Sequence, residues 1–325
     1  MILYHNMKKL LAITHPDEWN QLLPFNSFIR NLKELNGYEY VIAVVPYKGN
    51  IVISEADEII TIKDGDLFSY PAILEKLDTR RNDDFLNRCV KFCFEKYGSE
   101  NIDIKSWQNT DYDDGVVDEI NKPPLEYYRK SFEYAKKFFD DGLTITPTKK
   151  IFESVKQKYG NLFNDKTLIV LTRNFTNKAN MHNTANTLPY LEKTLNHLID
   201  NGIKIVNIGF PPKSFDIKNS NYVEINDNLT QDELISLFYL SSGVMMAADA
   251  GGFVTHYGSN VDFYIMSEEW SVTNKQVSIS LIDSKKTNKT ISLVGLSDED
   301  IYQNIINNIR PQEMVFSKEK IINII

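Results

Sequence analysis

The chain has 325 residues and a mass of 37.5 kDa, and its 44 acidic and 36 basic side chains give a formal charge of −8. At roughly 150 residues per domain this suggests about two domains, enough chain to bury a core without disulfides or structural metal. The acidity argues against a protein that tracks nucleic-acid phosphates, although a local basic groove is compatible with it.

The two cysteines, Cys89 and Cys93, are spaced i, i+4. That spacing puts them on one helix face as reduced core thiols, with too few partners for a disulfide framework or a zinc site. Met7-Lys8-Lys9-Leu10-Leu11 starts like a secretion signal, but the apolar run stops at Ile13, before Thr14-His15-Pro16. No apolar stretch approaches the roughly 20 residues of a membrane span. The expectation is a cytoplasmic protein with no membrane span.

In chain order, Leu10–Thr14 reads as a buried strand. A helix from about Gln21 to Leu35 follows, with Phe25, Phe28, Ile29, Leu32 and Leu35 on one face and Asn36-Gly37 ending it. Tyr40–Pro46 reads as a strand buried on both faces, and Ile51–Ile53 and Ile59–Ile62 as short strands. This β-α-β rhythm predicts a parallel sheet. Residues 67–140 read as mostly helical (Phe68–Leu77, Phe85–Tyr97, Leu125–Phe139), with an acidic loop at Asp111–Gly115. Thr146 is the expected N-cap, with Pro147 in the first turn, of a helix through Phe152, Val155 and Tyr159.

A second β-α-β series begins with the strand Thr167–Thr172. Next come a helix over Thr187–Asn201 with Leu188, Leu191, Leu195, Leu198 and Ile199 on one face, a strand ending at Ile208-Gly209, and the strand Tyr222–Ile225. Thr230 and Glu233 form a capping box for a helix to Leu240. The apolar strand Gly243–Ala248, a short helix, the strand Asp262–Met266 and helices over Ser297–Asn308 and Ser317–Ile324 complete the chain. The whole reads as an α/β protein of two Rossmann-like β/α/β domains facing a cleft. Residues 1–145 form the first, with a helical insertion, and 146–296 the second; 297–325 are C-terminal helices able to return to the first domain.

Three strand-to-helix junctions carry groups able to do chemistry. Strand 243–248 runs into Asp249-Ala250-Gly251-Gly252 and then Phe253-Val254-Thr255-His256. In doubly wound sheets ligands sit at the carboxyl ends of strands, and free N–H groups at a helix start favour an anion such as a diphosphate. Gly251 and Gly252 let a ligand approach the backbone; a tight packing turn would use the same glycines. Arg173 and Asn174 follow strand 167–172. A guanidinium there can hold a phosphate bidentately, or be a surface cation at a strand end. The loop 174–186 is long and polar, and such a loop in a compact domain is more often functional than a short one.

His15, Asp17 and Glu18 crowd the loop after the first strand. A base for a hydroxyl proton belongs in such a place, while Asp17 and Glu18 also suit a helix N-terminus. Asp111-Tyr112-Asp113 has the Asp-x-Asp form used to hold a metal, but it falls between helices with no buried strand ahead and reads as a solvated loop. His5, His182 and His197 do not cluster at metal spacing, and the P-loop, Gly-x-Gly-x-x-Gly and Gly-x-Ser-x-Gly patterns are absent. No metal and no cofactor are expected.

The run Leu229–Leu240, then Gly243–Ala248, then Asp249–His256 resembles the heptosyltransferase-like, family 9 branch of the GT-B glycosyltransferases. That branch places a capped helix, a strand and an Asp-Ser/Thr-Gly turn in the same order. Trp19–Leu23 followed by Arg30, and Glu55-Ala-Asp-Glu-Ile, are similar too, so the resemblance covers residues 8–62 and 166–266. Ala250 stands where the family has Ser/Thr and Gly252 where it has Pro, and His256 comes later than the family histidine.

The resemblance implies a metal-independent transfer of sugar from a nucleotide-sugar donor to a glycan or other hydroxyl acceptor, the acceptor on the first domain and the donor on the second. Asp17 is then the first choice of base, with His15 and Glu18 behind it. Arg173, Asn174, Gly209, Asp249, Gly251, Gly252, Thr255 and His256 are the donor contacts. Two other readings stay open: a glycosyltransferase acting on modified bases in DNA, and a catalytically silent module that binds a nucleotide-sugar or glycan.

Overall fold

Two parallel sheets organise the chain. The computed structural model describes residues 7–13, 22–44, 53, 55–61, 83–106, 134, 136–171, 181–208, 215–227, 229–247, 258–267, 290–293 and 295–325. By their contacts they divide into a first unit, Met1–Ile145 with Thr230–Asp232 and Ser317–Ile325, and a second, Thr146–Leu229 with Glu233–Phe316.

The first sheet contains β1 (Lys9–Ile13), β2 (Tyr40–Val44), β3 (Glu58–Thr61), β4 (Ile102–Ser106) and, from the far end of the sequence, β11 (Ile321–Ile324). Its order is β11-β3-β2-β1-β4, and every pair is parallel. β1 and β2 are buried at every residue, as expected of parallel strands covered on both faces. α2 (Asp83–Tyr97) lays Cys89, Cys93 and Tyr97 against Leu11, Ile42, Val44 and Ile60. α1 (Leu22–Asn36) buries Phe25, Phe28 and Ile29. It ends at Gly37, whose φ of +65° is the left-handed conformation that closes helices at low cost in glycine.

The second sheet contains β5 (Thr167–Leu171), β6 (Lys204–Ile208), β7 (Tyr222–Ile225), β8 (Val244–Ala247), β9 (Phe263–Ser267) and β10 (Thr290–Ser292). Its order is β10-β9-β8-β5-β6-β7, again parallel throughout. Counted within the unit, this is the 3-2-1-4-5-6 order of a dinucleotide-binding fold. After α3 (Lys149–Tyr159), α4 (Met181–Asp200) and α6 (Asp298–Ile306) cover one face, packing Leu191, Leu195, Leu198, Ile301 and Ile305 on Leu168, Val170, Met245 and Tyr264. α5 (Gln231–Leu240) meets the preceding residue of β9, with Phe238 and Phe263 edge to face at 6.2 Å. Because successive strand residues point to opposite faces, α5 lies on the other side of the sheet.

Several expectations need correction. The helix expected from Thr146 is α3, and its N-cap is Thr148, whose extended backbone lets its Oγ1 accept the Ile151 N–H at 3.4 Å. Pro147 therefore precedes the cap. Residues 67–140 are not all helix, because β4 interrupts them; 62–82 and 107–133 lie outside the described residues. Ile53 belongs to no strand, its carbonyl instead accepting the Ala56 N–H at 3.2 Å. The expected helix Ser317–Ile324 is the strand β11, because its backbone N–H groups pair with the open edge of β3. Of the two C-terminal helices only α6 is one, capped by Ser297, whose Oγ accepts the Asp300 N–H at 3.1 Å.

Candidate functional site

The two sheets share a 3-2-1-4 core, so each has a point where the strand order reverses. In the first it falls between β1 and β4, and in the second between β5 and β8. Open α/β sheets bind ligands outside the carboxyl ends of the strands at such points. Ile13 at the end of β1 stands opposite Ser106 at the end of β4. Leu171 at the end of β5 stands opposite Met246, one residue before the end of β8. Neighbouring strands lie about 4.8 Å apart, so the chain leaves β5 and β8 from adjacent points on one edge.

The strands at the second switch are rigid supports. Leu168, Ile169, Val170, Val244, Met245 and Met246 are fully buried and apolar, with Leu171 scarcely exposed. A bulge follows on β9: Met246 pairs with Ile265, but Ala247 pairs with Ser267, so Met266 is an extra residue beside the carboxyl end of β8. Bulges are over-represented at sheet edges, at barrel rims and next to active sites, and are rare in parallel pairs such as this one.

The amino edges of both sheets hold buried charge of a different kind. Asp262, fully buried just ahead of β9, accepts hydrogen bonds from Arg310 Nε at 3.1 Å and Nη2 at 3.3 Å, while its N–H donates to Gln312 Oε1 at 3.2 Å. Gln312 Nε2 donates in turn to the Ser242 carbonyl at 3.1 Å. The Asp262 carboxylate raises the pKa of Arg310. In the first unit the buried Glu58 accepts hydrogen bonds from Tyr40 at 2.9 Å, Lys96 at 2.8 Å, Tyr97 and Asn323. These networks pair their charges internally and tie strands together, so they are latches of the fold.

Arg30 and Glu55 are also structural. Arg30 Nη1 meets Glu55 Oε1 at 3.5 Å and Lys33 Nζ meets Glu55 Oε2 at 3.4 Å, pinning α1 to the turn before β3. Cys89 and Cys93 are free and buried, and burial pushes both thiols up to about 12, which makes them inert at neutral pH.

His15, Asp17 and Glu18 lie outside the described residues, as do Arg173, Asn174, Gly209, Asp249, Gly251, Gly252, Thr255 and His256, and also Asp111 and Asp113. Their places along the chain are nonetheless informative. The first group follows β1, Arg173 and Asn174 follow β5, Gly209 follows β6, and Asp249 to His256 follow β8. The Asp111–Asp113 stretch follows β4, a strand that sequence patterning did not reveal and whose Asp103, Ile104 and Lys105 are exposed. Among the described residues no group of three or more His, Cys, Asp or Glu is placed to hold a metal, and no helix is long and apolar enough to cross a membrane.

Solved structures share this fold. A family 9 glycosyl transferase from Veillonella parvula superposes with a TM-score of 0.50 at 10% identity, over 94% of this chain and 93% of that one. The ADP-heptose LPS heptosyltransferase II of E. coli superposes with a TM-score of 0.50 at 11% identity, over 92% of this chain and 98% of that one. The chain has the fold of these glycosyltransferases. No protein-family model matches the sequence, and a search of curated proteins found no match. At such identity the likeness is one of fold alone, and a fold does not fix the chemistry.

Proposed function

We propose that this protein is a cytoplasmic glycosyltransferase that moves a sugar from a nucleotide-sugar donor to a hydroxyl acceptor without a metal ion. One observation carries the reading. The three segments that carry the candidate base and the candidate diphosphate contacts leave from β1, β5 and β8, strands that flank the two switch points. The glycosyltransferase fold supports the same assignment.

In this reading the first unit receives the acceptor, and Asp17 takes the hydroxyl proton, with His15 and Glu18 the other candidates. The second unit receives the donor. Arg173 and the backbone N–H groups around Gly251 and Gly252 bind the diphosphate and stabilise it as it departs, the role a metal plays elsewhere. Asp249 accepts hydrogen bonds from sugar hydroxyls, and Asn174, Gly209, Thr255 and His256 complete the donor contacts.

A thermal-shift screen against nucleoside diphosphates and their sugars tests this, because a ligand bound only to the native state raises its melting temperature by mass action. One nucleotide series should stabilise the protein. Each charge-assisted contact contributes about 1.5–3 kcal/mol, so Arg173→Ala and Gly252→Val should each weaken that binding by about tenfold or more. Asp17→Asn should lower turnover by about a hundredfold with donor affinity kept. Binding with no turnover across a broad acceptor panel would favour a silent binding module instead.

A further inference from the structure

The first sheet is closed at one edge by a segment distant in sequence from its other strands, and the fit is specific. β11 pairs in parallel with β3, Ile321 opposite Glu58 through Ile324 opposite Thr61. The Ile321 N–H donates to the Asp57 carbonyl at 3.2 Å and the Ile325 N–H to the Thr61 carbonyl at 2.9 Å. Among the described residues β11 has no second neighbouring strand.

Apolar burial is not what selects this segment. Ile321, Ile322 and Ile324 remain 48%, 43% and 52% exposed, and only Ile325 packs against the core beneath. The selective contacts are polar. The Asn323 amide nitrogen donates to Glu58 Oε1, and its oxygen accepts from Lys96 Nζ at 3.4 Å. Lys96 also donates to Glu58 at 2.8 Å, which closes a three-membered ring of contacts around a fully buried carboxylate. Lys318 pairs with Asp57, whose other oxygen accepts the Val41 N–H at 2.9 Å. An amide fits between a carboxylate and an ammonium because its NH2 donates and its carbonyl oxygen accepts; an ionised aspartate has no donor there and leucine has neither.

We infer that the β3 edge is a strand-acceptor site keyed by Glu58 and Lys96. Residues 317–325 of this chain fill it, and they dock as a separable element by β-strand addition. The first unit is then incomplete until that segment arrives, and an extended peptide carrying Asn at the matching position is the partner the site accepts.

Hydrogen exchange on the full-length protein tests the key. Asn323→Asp and Asn323→Leu should strip protection from the amides of β3 and β11 while β5, β6 and β8 keep theirs. Unchanged β3 and β11 protection in both variants would overturn the inference. A chain ending at Phe316 tests separability: a synthetic peptide of residues 313–325 should bind it, raise its melting temperature and restore β3 protection. The Asn323→Leu peptide should bind about tenfold more weakly or worse, as loss of a contact to a charged group implies. Equal binding of the two peptides, or a truncated chain as stable and as protected as the full one, would also overturn it. If the truncated chain fails to fold, the full-length comparison decides alone.

Discussion

Gly243 shows how tightly the second core is set. A Cβ added there would stand 2.6 Å from Cε2 of Tyr264 and 3.4 Å from Cδ2 of Leu168, both fully buried. The ring has nowhere to go, so Gly243→Ala should destabilise the protein by about 1–3 kcal/mol, a typical cost of overpacking. Calorimetry should register this as a fall of several degrees in Tm.

Cys89 and Cys93 yield a pH prediction. Their thiols rise from 9.0 to about 12, chiefly through burial; the second cause is Cys93 for Cys89 and Glu58 for Cys93. Between about pH 9 and 12 the unfolded chain has released protons that the native state still holds. Stability contributed by the neutral thiols is therefore complete below pH 9 and lost as pH rises, by up to about 1.4 kcal/mol per pH unit for each thiol. Denaturant titrations should show a shallower alkaline slope in the Cys89→Ala/Cys93→Ala variant. A thiol reagent at pH 8 should leave the native protein unmodified.

At the scale of elements, the cap of α3 separates two neighbouring threonines. Thr148→Ala should cost about 1 kcal/mol and speed exchange of the Ile151 amide, because the Thr148 hydroxyl is what that N–H donates to. Thr146→Ala should leave that amide's exchange unchanged.

The elements legible in the sequence are those whose signal is local. β1, β2, β5 and β8 are apolar runs because both faces are covered, and α1 and α4 show the helical spacing of one buried face. β4 is harder to read: Ile102-Asp-Ile-Lys105 alternates apolar and polar residues as a half-buried strand does, but the run is short and Ile104 is 40% exposed. The sequence of β11 suits a helix locally; what makes it a strand is an edge more than 250 positions away, with Asn323 meeting Glu58 across 265 residues. Strand order is likewise absent from local pattern. The strands bearing the candidate site could be named in advance, but without β4 the first switch point could not.

For the whole molecule, the Asp111–Asp113 stretch follows β4 in the chain, the strand beside β1 at the first switch. Metal independence therefore needs a direct test. Turnover should survive a chelator, and Asp113→Ala should be nearly neutral. Loss of donor binding in chelator, restored by manganese, would return the Asp-x-Asp motif to the active site.

The donor is proposed to bind at the carboxyl edge where β5 and β8 lie side by side. Hydrogen exchange with and without a stabilising nucleoside diphosphate measures this most directly. New protection is expected in the segments following Leu171 and Ala247, with none at the amino edge around Asp262 and Arg310. Protection confined to other segments, or none at saturating nucleotide, would contradict it.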